Sequence, residues 1–165
     1  MYNDSNEEIF KDVYAYAGLA LYWCQCFEQT LANILILQAR ITKQCVTLEQ
    51  LDQYEEHVEA QTLGRLLKEV RQQVTFDEQA ETLLPEALKQ RNFLAHHFFK
   101  ERAAVWYAKN GPERLGAELE SIQTLMREAD SHATAISSRL CEHLGLTDDI
   151  LSAALQKLRN EAEPT

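Results

Sequence analysis

Glycine and proline are scarce in this chain, five and three among 165 residues. Breakers this rare favour long helices over a turn-rich β fold, and no strand signals stand out. Long apolar runs are missing too. The most apolar region, Val13 to Ile41, is interrupted by Gln25, Glu28, Gln29, Asn33 and Gln38. It makes a poor membrane span and a good buried helix. No basic segment followed by an apolar stretch opens the chain, so the expected setting is cytoplasmic, with no membrane partner. The cysteines Cys24, Cys26, Cys45 and Cys141 form neither a CxxC pair nor a zinc set, since Cys24 and Cys26 point to different helix faces. They read as buried free thiols in a reducing compartment. Positive charge is in deficit: 16 Lys and Arg against 26 Asp and Glu leave a net charge of −10. Polyanions are repelled by such a body at long range, which argues against a generic nucleic-acid binder. No Gly-rich phosphate loop, HExxH or EF-hand pattern occurs, and no cofactor or metal is expected.

What is present points to helices. Hydrophobic residues make up 45% and charged residues 25%. The length suits a single domain over residues 1–165, frayed at about 1–5 and 160–165. The first helix is predicted to start at the capping box Ser5-Asn6-Glu7-Glu8. Its stripe runs Phe10, Val13, Ala17, Ala20, Cys24, Phe27, Leu31, Ile34, with a second apolar face of Tyr14, Leu21 and Leu35. A surface this wide implies burial on more than one side, inside the bundle and against a second subunit.

A second capping box, Thr47 to Gln50, opens a helix with Leu51, Tyr54, Val58, Thr62, Leu66 and Val70 on its inner face. Gly64 implies either close helix approach or a break. A third box, Thr75 to Glu78, starts a short helix over about 76–83, and Pro85 restarts a longer one over about 85–108. Asn110-Gly111-Pro112 is a stop and restart. The last long helix has the regular stripe Leu115, Leu119, Ile122, Met126, Ala129, Ala133, Ile136, Leu140, Leu144, closed by Gly145. Thr147-Asp148-Asp149 then caps a short helix through about Arg159. The fold class is all-α: an up-and-down bundle of four main helices with one or two short extra ones.

Chemistry concentrates between Leu88 and Phe99. Arg91 and Asn92 interrupt an apolar stripe formed by Leu84, Leu88, Ala95 and Phe99. An arginine there is costly unless its donors are satisfied by a partner or a ligand. Asn92 and His96 lie one above the other on a helix. Arg91 and His96 are about 140° apart on an ideal helix, so sharing one target needs a bend or a cleft that spans both. Lys89, Arg91, Lys100 and Arg102 face only Glu101 in sequence and suggest a local positive patch. By contrast, Glu49 to Glu59 holds five carboxylates and no Lys or Arg. His57, His132 and His143 lie apart among ordinary helix residues.

Arg91-Asn92, three residues, then His96 resembles the Arg-x4–6-His motif of HEPN domains (higher eukaryote and prokaryote nucleotide-binding). Thr62-Leu63-Gly64-Arg65-Leu66-Leu67 also resembles a segment common in some members. The helix plan is similar over roughly Phe10 to Leu144, and the match is strong over Arg91 to Phe99. The resemblance implies a homodimer whose motif helices line a shared cleft and cleave RNA without a metal. In that reading His96 is the acid or base, Arg91 holds the phosphate, and Asn92 orients one of them. His97, Lys100 and Arg102 are candidate accessories. Toxin or antiphage roles are implied, with a protein antitoxin or regulator as partner. The alternative is a catalytically silent binding or dimerisation module. One departure stands out: where toxins paired with a nucleotidyltransferase carry a Tyr two residues after the His, this chain has Phe98.

Overall fold

Two long apolar stripes set the architecture. A computed structural model describes residues 4–162, with side chains from residue 10 onward. The first stripe lies on α1 (Asp4–Ile41) and the last on α7 (Gly111–His143), and the two helices form the central pair. Val13, Ala17, Ala20, Cys24, Phe27, Leu31 and Ile34 on α1 are all buried. So are Leu115, Leu119, Ile122, Met126, Ala129, Ala133 and Ile136 on α7. The expected second face of α1 divides: Tyr14 and Leu21 are exposed, whereas Leu35 turns inward and is buried. The side chains of the Ser5 capping box lie outside the described residues.

The described residues are helical with no strand, in agreement with the all-α expectation. The expected second helix divides into α2 (Leu48–Glu59) and α3 (Leu63–Gln73). The Thr47 box forms as read, with Gln50 N–H on Thr47 Oγ1 at 3.2 Å and Thr47 N–H on Gln50 Oε1 at 3.1 Å. A turn at Ala60 to Thr62 then ends α2, and Thr62 becomes the extended N-cap of α3 instead of an inner-face residue. The break lets Leu63 and Leu67 join Leu66 and Val70 in the core. Gly64 falls in the first turn of α3, with Leu88 Cδ2 3.7 Å from where a Cβ would stand, an ordinary contact.

α4 (Glu78–His96) also corrects an expectation. It is continuous through Pro85 and capped by Asp77, whose carboxylate accepts from Ala80 N–H at 2.8 Å; Thr75 is not the cap. Pro85 and Glu81 are exposed, so the Glu81 carbonyl that loses its partner at Pro85 lies on the water side, where the loss costs least. The helix stops at His97 (φ −130, ψ −25), well short of residue 108. Two single turns follow, α5 (Phe98–Glu101) and α6 (Ala103–Trp106). Packing explains the stop, because the break drives Phe98 into the core, fully buried against Phe93.

Asn110 adopts a left-handed conformation (φ 54) and Pro112 enters α7 at its first turn. Gly111 between them is obligatory, since a Cβ would lie 1.9 Å from the Val105 carbonyl oxygen. α8 (Asp148–Ala162) closes the described residues and extends to Ala162.

Cross-helix bonds give the directions. The side chain of Gln123 donates to the Tyr16 carbonyl at 3.0 Å, and Thr30 Oγ1 donates to Asp130 at 2.6 Å, so α1 and α7 run parallel. In α4, Arg91 meets Glu28 of α1, while Phe99 just beyond it meets Tyr14, so α4 runs antiparallel to α1. A simple bundle of four would set its first and last helices antiparallel. The break between α2 and α3 adds one reversal and makes them parallel. No helix among the described residues is long and apolar enough to cross a membrane.

Candidate functional site

The stripe expected around the motif is corrected: of Leu84, Leu88, Ala95 and Phe99 only Leu84 is buried, Ala95 and Phe99 are exposed, and the face that α4 buries is Ala80, Leu84, Ala87 and Leu94. Arg91 falls between Ala87 and Leu94 on that face and has found a partner. Arg91 Nε donates to Glu28 Oε1 on α1 at 2.6 Å, with both side chains about three-quarters buried. Its Nη1 donates to Asn92 Oδ1 at 3.3 Å, so Asn92 steadies Arg91 and not His96. Nη2 has no partner among the described residues. A guanidinium held by its inner nitrogen presents its outer edge to solvent, the edge that matches a phosphate or carboxylate. Glu28 went unassigned in the sequence reading. Its one signal there is a carboxylate inside the apolar region of α1.

His96 occupies the last turn of α4, exposed and without a hydrogen-bond partner among the described residues. His97, at the break, is exposed and has Nδ1 4.0 Å from Glu101 Oε1. α4 is unbroken from Arg91 to His96, so no bend brings these two side chains to one spot. Within one copy they diverge, and only a cleft wider than one helix face can use both.

The accessory candidates separate. Lys100 is exposed. Arg102 is tightly held: Nε and Nη2 grip both oxygens of Glu118 on α7 at 2.6–3.1 Å, and its guanidinium lies 4.8 Å from the Phe93 ring centre. Glu118 hydrogen bonding, opposed by some desolvation, holds Arg102 more firmly protonated than an ordinary arginine. Arg102 is therefore a strut between the α5–α6 corner and α7. Lys89 pairs with Glu86 at 3.4 Å. The positive patch suggested by the sequence is thus largely neutralised, and Lys100 is its one member without an ion-pair partner among the described residues.

Beside the motif lies an aromatic cluster. Phe10 stacks on Trp106 at 5.0 Å, and Tyr14 and Phe99 both lean on Trp106, at 5.5 and 6.1 Å. Tyr14 is 57% and Phe99 44% exposed, so the cluster continues the open face of α1, where Leu21 and Tyr22 are also exposed.

The cysteines are all free. Burial, with Glu28 nearby, pushes the Cys24 thiol up to about 11, so it is inert as a nucleophile near neutral pH.

No family model matches the chain, and no curated protein or solved structure matches it.

Proposed function

We propose that the chain is an HEPN-like ribonuclease that acts as a homodimer and cuts single-stranded RNA without a metal. The observation that carries this reading is Arg91: an anchored guanidinium with a free outer nitrogen, on the same helix as an exposed His96 five residues on. In the reaction the 2′-hydroxyl oxygen bonds to the adjacent phosphorus and the bond to the 5′ oxygen breaks. His96 takes the 2′-hydroxyl proton, and His96 of a second copy gives one to the leaving 5′ oxygen. Arg91 Nη2 holds a non-bridging oxygen as its charge grows. The products are a 2′,3′-cyclic phosphate and a 5′-hydroxyl end. Because Arg91 and His96 diverge on one α4, the cleft is shared between copies. The exposed apolar face of α1, with Tyr14, Leu21 and Tyr22, is the surface along which two copies meet. A toxin or antiphage role, restrained by a protein partner, fits such an activity.

The test is RNA cleavage in EDTA. Wild type is expected to cut, and to stop when deoxyribose replaces ribose at the cut site. His96→Ala is expected to lower the rate by about 10² or more, and His97→Ala to cost less. A second reading, a silent dimerisation module, is favoured by the Glu28 and Glu118 pairings that occupy Arg91 and Arg102 and by the net charge of −10. Binding of RNA or a protein with no cleavage by wild type would select it.

A further inference from the structure

A cavity of about 330 Å³ lies at the corner where α6 passes into α7, against the start of α1. Phe10, Trp106 and Tyr107 line it on the apolar side, and Asn110 and Glu113 supply its polar groups. The Phe10 and Trp106 rings are stacked, 5.0 Å apart and within 8° of parallel. Tyr14 and Phe99 brace Trp106, their rings tilted 46° and 65° to it. Tyr107 is 86% exposed.

The polar groups are uncommitted. An asparagine at an N-cap usually accepts from the second or third N–H of its helix. Asn110 stands at the N-cap of α7, but its left-handed backbone (φ 54) leaves the side chain with no capping bond. Glu113 is exposed and has no ion-pair partner among the described residues. The turn beneath them is packed tight, since a Cβ on Gly111 would stand 1.9 Å from the Val105 carbonyl oxygen.

These features select a ligand. A parallel stack extends by another flat ring, so the ligand is planar. A carboxylate only accepts, so the ligand offers N–H groups. The volume is at the low end of the roughly 300–1,000 Å³ of small-molecule sites, room for one ring system and not a whole nucleotide. Bases of single strands are read in this way, stacked on aromatic rings and hydrogen-bonded along the pairing edge. Guanine fits best: its neighbouring N1–H and N2–H match the two oxygens of one carboxylate, and its O6 accepts from an amide N–H. Uracil, with one N–H between two carbonyls, fits worst. The phosphates have to avoid acid. Asp12 and Glu120 line an adjoining cavity that shares Pro112 and Glu113, which closes that direction to them. Lys100 and Lys109 follow Phe99 and precede Asn110, both exposed and without ion-pair partners among the described residues; Glu101 is the acid beside them in sequence.

We infer that this cavity reads a guanine base of single-stranded RNA, with Phe10, Trp106 and Tyr107 stacking it and Glu113 and Asn110 holding its pairing edge. The inference rests on the ribonuclease reading for its substrate and gives that reaction a base preference.

Trp23→Phe leaves Trp106 as the only tryptophan, so its fluorescence reports on the cavity. The probes are a short deoxyuridine strand and the same strand with one central deoxyguanosine; deoxyribose keeps both from being cut. The guanine strand is expected to quench Trp106 and to bind about fivefold or more tighter. Glu113→Gln is expected to remove most of that preference. Asn110→Gly, which keeps the left-handed backbone, is expected to reduce it. Tyr107→Ala is expected to weaken both strands about fivefold or more. All three positions are exposed, so the fold survives the changes. Equal affinity for the two strands, binding by neither, or a guanine preference that survives Glu113→Gln overturns the inference. Ribose RNA separates it from the reaction. Cleavage with no guanine preference keeps the nuclease and removes the base pocket; guanine-selective binding with no cleavage keeps the pocket and removes the nuclease.

Discussion

At the scale of single residues, Arg91 has a structural role to be separated from a catalytic one. Its Nε bond to Glu28 at 2.6 Å ties α4 to α1, so part of its role is structural. A double-mutant cycle with Arg91→Ala and Glu28→Ala is expected to give a coupling of about 1 kcal/mol, reduced from a fully buried pair because both groups are partly wet. Catalysis asks more. If the outer edge of the fork meets a phosphate, Arg91→Lys keeps the charge but loses the paired donors, and cleavage is expected to stay near the Arg91→Ala level. Full cleavage in Arg91→Ala would leave Arg91 a strut and nothing more. The sequence showed that an arginine stood in an apolar stripe and needed a partner. It did not show which one, because Glu28 is 63 positions away and reaches Arg91 only once α1 and α4 are packed.

At the scale of elements, caps and breaks decide where the site sits. Asp77 starts α4 and also meets His132 of α7 at 3.1 Å. The Ala80 backbone hydrogen bond, then His132, hold its carboxyl below the ordinary 3.8. A depressed folded-state value means that stability is present above the unfolded value and is lost as pH falls through the folded one. Asp77→Ala is therefore expected to melt earlier than wild type at pH 7. The difference should shrink as the pH drops below about 3.8, as thermal melts across that range would show. An equal gap at low and neutral pH would detach the cap from its charge. Elements with a strong period were legible in the sequence: the α1 stripe, the α7 stripe as far as Ile136, the Thr47 box and the Asn110-Gly111-Pro112 restart stand where residues alone put them, whereas Leu140 is only partly buried and Leu144, past the end of α7, is exposed. The break at His97 was not legible, because no breaker marks it, and the one before Leu63 was legible only as one of two readings of Gly64. Burial of Leu63, Leu67 and Phe98 creates them, and burial is decided by helices far off in sequence. Pro85 is the converse, a breaker overridden because its side of the helix is wet.

For the whole molecule, the open face of α1 is the feature to test. Tyr14, Leu21 and Tyr22 leave more apolar surface uncovered than scattered exposed residues would. Leu21→Glu is expected to weaken self-association about tenfold or more in sedimentation, with helicity by circular dichroism unchanged. If that variant associates like wild type, the face serves something other than a second copy. The all-helical class was legible from composition, but the parallel run of α1 and α7 was not, since it depends on counting one reversal that Gly64 offers only as one of two readings.

That parallel pair has a consequence for how the chain is made. Thr30 and Asp130, bonded across it, are 100 positions apart. Ribosomes add about 5–20 residues per second, so the inner stripe of α1 waits on the order of 5–20 s for α7 to emerge. In that interval α2, α3 and α4 are its only covers, and the chain spends its synthesis with half of its central contact still unmade.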